Sequence, residues 1–334
     1  MSNQNKQITL KYEYKQNISN LYLALSINIK NINKSNKDEN IKQTLINNLI
    51  NKYYNDLKVI NQLFNKNLYN TQAVTENEVS ELTNLEDSNK KACLIGLNYI
   101  GTANELFGCI NDVNSIKERI EKNGFNNIKS LTDLSNIKPT YNTILEEFTN
   151  LLVNSKEGDL LLFFYSGHGS NTLDNNNDET DGRDEMIIPS DFKPILDDEL
   201  KQIIQTNLKA NVTLLAMFDA CFSGTVLDLK YQYLDSLNYD NYTENSTTLE
   251  TEGNVIMISG CSDIQTSVDS KFNGRANGAM TWALLDILNN NTNEIISWRE
   301  LIKSMRDLLK SNGFEQLPQL SSGKPIDIDS TVFI

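Results

Sequence analysis

The chain has 334 residues, 39% of them hydrophobic, which is enough apolar material for a large core and excludes a disordered protein. Thirty basic residues stand against 44 acidic ones, a net charge of −14. That balance excludes the clustered Lys and Arg with which proteins hold phosphate backbones, so no nucleic-acid partner is expected.

The N-terminus, MSNQNKQITLKYEYKQN, lacks the apolar core and small-residue cleavage site of a secretory signal. No later segment approaches the roughly 18 apolar residues needed to span a bilayer, so a cytoplasmic location and no membrane partner are expected. Residues 1–90 are rich in Asn and Lys and carry a helical pattern, with Leu45, Leu49, Tyr53, Leu57 and Ile60 recurring at spacings of three and four. This region reads as a mainly helical extension and a candidate regulatory element, and an acidic stretch, TENEVSELTNLEDSNKK, leads out of it.

From residue 91 short apolar runs alternate with amphipathic segments. ACLIGLN (92–98) predicts a strand, and NDVNSIKERIEKNG a helix capped by Asn111 or Asp112 and closed by Gly124. The next helix presents Ile144, Leu145, Phe148, Leu151 and Leu152 on one face, and LLLFFY (160–165) is too short and too apolar for anything but a buried strand. DDELKQIIQTNLK and VTLLAMF (212–218) repeat the pairing, and VIMISG (255–260) adds a strand. The last helix opens on a capping box, Ser297 with Glu300, and stops at Gly313. Alternation of this kind with fully apolar strands implies an α/β fold, a mostly parallel central sheet with helices on both faces.

In such sheets the functional groups gather just beyond the carboxyl ends of the strands. LLLFFY runs into Ser166, Gly167, His168 and Gly169, and VTLLAMF into Asp219, Ala220 and Cys221; His168 is the only histidine in the chain. If these strands are parallel neighbours, imidazole and thiol lie side by side. An imidazole within hydrogen-bond reach raises the thiolate fraction and later protonates a leaving amine, so Cys221 and His168 form a sufficient catalytic dyad. The amides of Gly169 and Cys221 are candidate oxyanion donors. Taken singly, a buried cysteine is usually a small hydrophobe and a lone histidine usually structural; it is the pairing at matching strand ends that carries the reading. Cys93, Cys109 and Cys261 read as packing residues. With four scattered cysteines, no CxxC pair and one histidine, neither a disulfide framework nor structural zinc is expected.

YSGHGS and DACFSGT resemble the histidine and cysteine motifs of caspase-like cysteine peptidases. GLNYIGTANELFGCINDV, DGRDEMIIPSDF, ISGCSDIQTS and LPQLSS are similar to metacaspase signatures in metacaspase order, over residues 92–322. The resemblance implies a caspase-hemoglobinase three-layer sandwich over residues 91–334: a large-subunit-like part at 91–229, a short polar link at 230–253, and a small-subunit-like part at 254–334. It implies cleavage of protein or peptide substrates after Arg or Lys, and substrate binding by Asp112, Ser166 and Asp219, since carboxylates pair a guanidinium or ammonium. It also implies activation by Ca2+, with Asp184, Asp197, Asp198 and Asp228 at the ligand positions, hard oxygen donors suited to that ion. Self-cleavage of a zymogen after Lys230 or the Lys90/Lys91 pair, and action as a monomer, are further expectations. An EF-hand is not implied: residues 174–185 imitate its loop, but the sixth position is Glu179 where the turn requires glycine. Ala220 and Phe222 depart from the polar residues the family often carries beside its cysteine. A catalytically inactive caspase-fold scaffold, or a caspase-like hydrolase of other specificity, are the competing readings.

Overall fold

The apolar runs become strands because each is too short for a helix and is buried on both faces. A computed structural model describes residues 89–173, 183–221, 226–233, 242–245, 248–260, 269–272, 275–291 and 295–334, with scattered positions between 24 and 52. Along the chain run β1 (Lys90–Gly96), α1 (Cys109–Lys122), β2 (Asn127–Thr132), α2 (Tyr141–Val153), β3 (Leu160–Ser166), β4 (Gly169–Leu173), β5 (Arg183–Ile187) and β6 (Ile195–Leu196). There follow α3 (Asp197–Asn207), β7 (Thr213–Asp219), β8 (Tyr231–Tyr233), β9 (Tyr242–Glu244), β10 (Asn254–Ser259), β11 (Asp269–Phe272), β12 (Arg275–Gly278), α4 (Ala279–Asn290), α5 (Trp298–Ser311) and β13 (Gln319–Ser322).

Eight strands form the main sheet in the order β2-β1-β3-β7-β10-β13-β8-β9. The first five are parallel and the last three antiparallel. Strand residues alternate between faces. Leu94, Leu162, Phe164, Leu215, Met217 and Ile258 meet α1, α4 and α5 in one core, while Phe163, on the opposite face, stacks on Phe148 of α2 with ring centroids 4.5 Å apart. This is the α/β fold that the strand–helix alternation implies, with the layers of the caspase-like sandwich that the family resemblance implies.

Local detail departs from the sequence expectations in three places. Helix α1 starts at Cys109 behind Gly108, so Asn111 and Asp112 lie in its first turn and do not cap it; the Asp112 carboxylate is instead turned to donors from other elements. The segment expected as a polar link carries β8 and β9, because Tyr231 and Tyr233 alternate with Gln232 and bury on one face. Lys90 and Lys91 sit in β1, paired with β2 or β3 on its two edges, and the Lys91 ammonium is 2.6 Å from Asp159. A bond held in a central strand is not presented to a peptidase. The capping box of Ser297 and Glu300 forms as expected.

The chain divides into two compact units, one of residues 1–84 with Tyr99–Glu105, the other of Leu85–Asn98 with Leu106–Ile334. In the first, Ile41, Lys42, Thr44, Leu45, Asn48, Leu49 and Lys52 are helical; Tyr53, Leu57 and Ile60 lie outside the described residues, as do residues 174–182, Phe222 and Cys261. Among the described residues no helix is long and apolar enough to cross a membrane.

Candidate active site

Strands β3 and β7 are hydrogen-bonded parallel neighbours, and their register ends on Ser166 opposite Asp219. His168 stands two residues beyond the first of that pair and Cys221 two beyond the second, so the parallel register delivers both to the same place past the sheet's carboxyl edge. Exposure follows the same logic. Tyr165, Ser166, Phe218, Asp219 and Ala220 are buried, while His168 and Cys221 are half-buried, at the point where the chain leaves the core.

Gly169 shows how closely the two loops approach. A Cβ added there would fall 2.0 Å from the Cys221 carbonyl oxygen, which no side chain tolerates. The turn bearing His168 is fixed from behind: the Tyr165 hydroxyl lies 2.8 Å from the His168 carbonyl oxygen, and the Ile188 N–H donates to that same oxygen at 3.1 Å. Tyr165 was not singled out from sequence; a hydroxyl ending an apolar run is its only local signal.

Below this edge lie two buried carboxylates. Asp112 is 0% and Asp219 2% exposed. Asp112 accepts from Ser166 Oγ at 2.8 Å, Asn277 Nδ2 at 2.8 Å and the Gly278 N–H at 3.0 and 3.1 Å. The Thr281 N–H, in the first turn of α4, donates to Asp219 at 2.8 Å. Unsatisfied N–H groups at a helix start favour negative charge. Burial first, and then the neighbouring Asp219 charge, push the Asp112 carboxyl well above the usual range, against the pull of its hydrogen bonds. Gly278 touches both acids: a Cβ there would meet Asp219 Oδ2 at 2.1 Å and Asp112 Oδ2 at 3.0 Å. Three residues predicted from sequence, Asp112, Ser166 and Asp219, are thus brought into one buried cluster. Asn277, Gly278 and Thr281 complete it and were not legible in sequence, since Asn277 and Gly278 lie 165 and 166 residues from Asp112.

Of the four predicted metal ligands, three converge. Carboxylate oxygens of Asp197, Asp198 and Asp228 lie within 4.8 Å of one another. Asp197 and Asp198 open α3, and Asp228 enters from the segment after β7 with φ +42, the left-handed region that non-glycine residues rarely hold. The Asp197 carboxyl is pushed up to about 7, by burial first and then by the Asp228 charge, despite accepting the N–H groups of Asp198 and Glu185, each at 2.7 Å. The Lys201 ammonium sits 3.2 Å from Asp228 Oδ2. Asp184 is buried on β5 opposite Thr172 and stands outside the group of three. Three carboxylates this close offer the oxygen donors that suit a hard divalent cation.

Cys93 is fully buried in β1, where burial pushes its thiol up to about 12, which keeps it protonated and inert. Cys109 is buried at the start of α1.

Comparison with known proteins gives a consistent result. Residues 90–230 match the family model described as metacaspase, peptidase C14 domain. The chain is 37% identical to Metacaspase-1 of Candida albicans over 71% of its own length and 66% of that protein's, just under two thirds. It is 36% identical to Metacaspase-1 of Scheffersomyces stipitis, covering 72% of each chain, and 36% identical to Metacaspase-2 of Trypanosoma brucei brucei, covering 75% of this chain and 77% of that one. Among solved structures, a Geobacter sulfurreducens protein superposes with a TM-score of 0.55 at 24% identity, over 73% of this chain and 98% of its own.

Proposed function

The chain belongs to the metacaspase family, and from that premise we propose that it is a calcium-regulated cysteine endopeptidase cleaving after Arg or Lys. The observation that supports this reading best is the β3–β7 register, which sets His168 and Cys221 at equal steps beyond Ser166 and Asp219. Nucleophile, acid/base and an acidic pocket then share one edge of one sheet.

In this mechanism His168 takes the Cys221 thiol proton and Sγ attacks the scissile carbonyl carbon, forming a C–S bond as the carbonyl π electrons move onto oxygen. The amides of Gly169 and Cys221 donate to the oxyanion. His168 gives a proton to the leaving amine as the C–N bond breaks, and then takes one from the water that hydrolyses the thioester. Asp112 and Asp219, with Ser166 between them, receive the basic side chain. A guanidinium or ammonium relieves the repulsion between two buried acids, whereas an Asp side chain adds to it. Calcium would be held by Asp197, Asp198 and Asp228, with Asp184 next to Glu185, whose N–H donates to Asp197, and would supply the positive charge that lets these carboxylates ionise together.

Hydrolysis of fluorogenic peptides ending in Arg, Lys or Asp, with calcium or with a chelator, tests this for wild type and Cys221→Ala. Equal rates for the two proteins remove the mechanism, and no hydrolysis by either favours a scaffold. Preference for Asp overturns the pocket, and indifference to chelation overturns the calcium role.

A further inference from the structure

We propose that Lys201 is a tethered cation that occupies the three-carboxylate site until a divalent ion displaces it; the inference rests on the calcium reading above. Lys201 follows Asp197 by four residues and Asp198 by three, so all three lie on one face of α3. The pair that opens the helix and the ammonium one turn later are therefore placed together by sequence spacing alone.

The contact is well sheltered. Lys201 Nζ lies 3.2 Å from Asp228 Oδ2, with the lysine side chain 18% exposed and the aspartate 3%. In that position the ammonium uses an acceptor that an incoming ion needs, and its charge opposes a second cation among the same oxygens. A calcium ion taking six to eight oxygens must draw Asp228 into its shell, so the Asp228–Lys201 pair has to open. The released side chain would face a cleft open to solvent, lined by Lys201, Gln205, Asp228 and Thr248 among others.

The arrangement makes the metal-free site self-neutralising. Among acids this close, loss of all positive charge leaves repulsion with no partner. Lys201 supplies one unit of charge from inside the fold, weaker than a divalent ion and always present. The consequence is a threshold: the divalent ion must outcompete a fixed internal cation, so affinity is lower than the carboxylates alone would give. An ordinary structural ion pair, by contrast, would leave metal affinity unchanged or, by orienting Asp228, would raise it.

Calorimetric titration of calcium into the full chain decides between these, with Lys201→Met and wild type compared in a Cys221→Ala background that prevents self-cleavage. Lys201→Met keeps most of the aliphatic stem and removes the charge. Its dissociation constant is expected to fall about tenfold, since calcium affinity follows the charge at the site. Thermal melts give a second readout: in EDTA the variant melts below the reference, and saturating calcium raises its Tm by more. Lys201→Gln serves in the same way if the methionine variant does not fold without metal. Calcium bound by the reference protein with a constant unchanged or weakened in both variants overturns the role of Lys201 while leaving the calcium site in place. Absence of calcium binding in every protein overturns the calcium reading and this inference with it.

Discussion

Two carboxylate groups, one fully buried and one in which Asp198 is half-buried, are neutralised differently. Asp112 and Asp219 are held by neutral donors, the Ser166 hydroxyl, the Asn277 amide and backbone N–H groups of Gly278 and Thr281. Asp197, Asp198 and Asp228 have an ammonium beside them in Lys201. Like-charge repulsion raises a carboxyl in each group, and in the second a lysine ammonium contacts one of the acids. On the proposed reading, the first receives a charge that arrives and leaves with each substrate. On the same reading, the second holds a positive charge at all times, from Lys201 or from the ion.

The comparison has content only if the first acids serve the thiol and imidazole above them. Replacement of Cys221 by alanine is expected to lower kcat/KM for Arg peptides by about a thousandfold or more while leaving calcium binding intact, since covalent catalysis is lost and nothing else changes. Retained turnover would detach the acid pair from the dyad. Asp112→Asn should reduce kcat/KM for Arg and Lys peptides by roughly 10 to 100-fold at every calcium concentration, the worth of a charge-assisted hydrogen bond. Asp198→Asn should do the reverse: weaken calcium binding roughly tenfold, with kcat/KM at saturating calcium close to wild type. If both variants showed the same phenotype, the two groups would not be functionally distinct.

The smallest effect concerns pH. The folded Asp112 carboxyl titrates above its unfolded value of about 3.9, so its protonated form stabilises the fold below that pH and the contribution is lost as pH rises through the folded value. Asp112→Asn has no such loss. Thermal melts in EDTA should therefore show the variant gaining on wild type as pH climbs from about 4 to 8, whereas a constant gap would mean that Asp112 is not strained.

The inner strands were legible because parallel strands buried on both faces read as unbroken apolar runs, and LLLFFY and VTLLAMF are unambiguous in that respect. Once they are neighbours, the placement of His168 and Cys221 follows from counting. The resemblance to metacaspases supplied Asp112, Ser166 and Asp219, which spacing alone would not have joined. What escaped depends on non-local pairing. β8 and β9 are three residues each and draw their identity from Tyr231, Tyr233 and Tyr242 packing on one another, with ring centroids 5.1 and 5.6 Å apart. Asn277 and Gly278 reach Asp112 from 165 and 166 residues away, and no local pattern marks an asparagine as the partner of a distant acid.

The central claim, that Cys221 is the nucleophile of a site selecting basic residues, is tested most directly by covalent trapping. The calcium-loaded protein is treated with peptidyl chloromethyl ketones ending in Arg or in Asp, and the alkylated residue is located by mass spectrometry. The account predicts rapid, stoichiometric modification of Cys221 by the Arg reagent and little by the Asp reagent, with Cys93 and Cys109 untouched. Modification at another cysteine, or equal labelling by the two reagents, would contradict it.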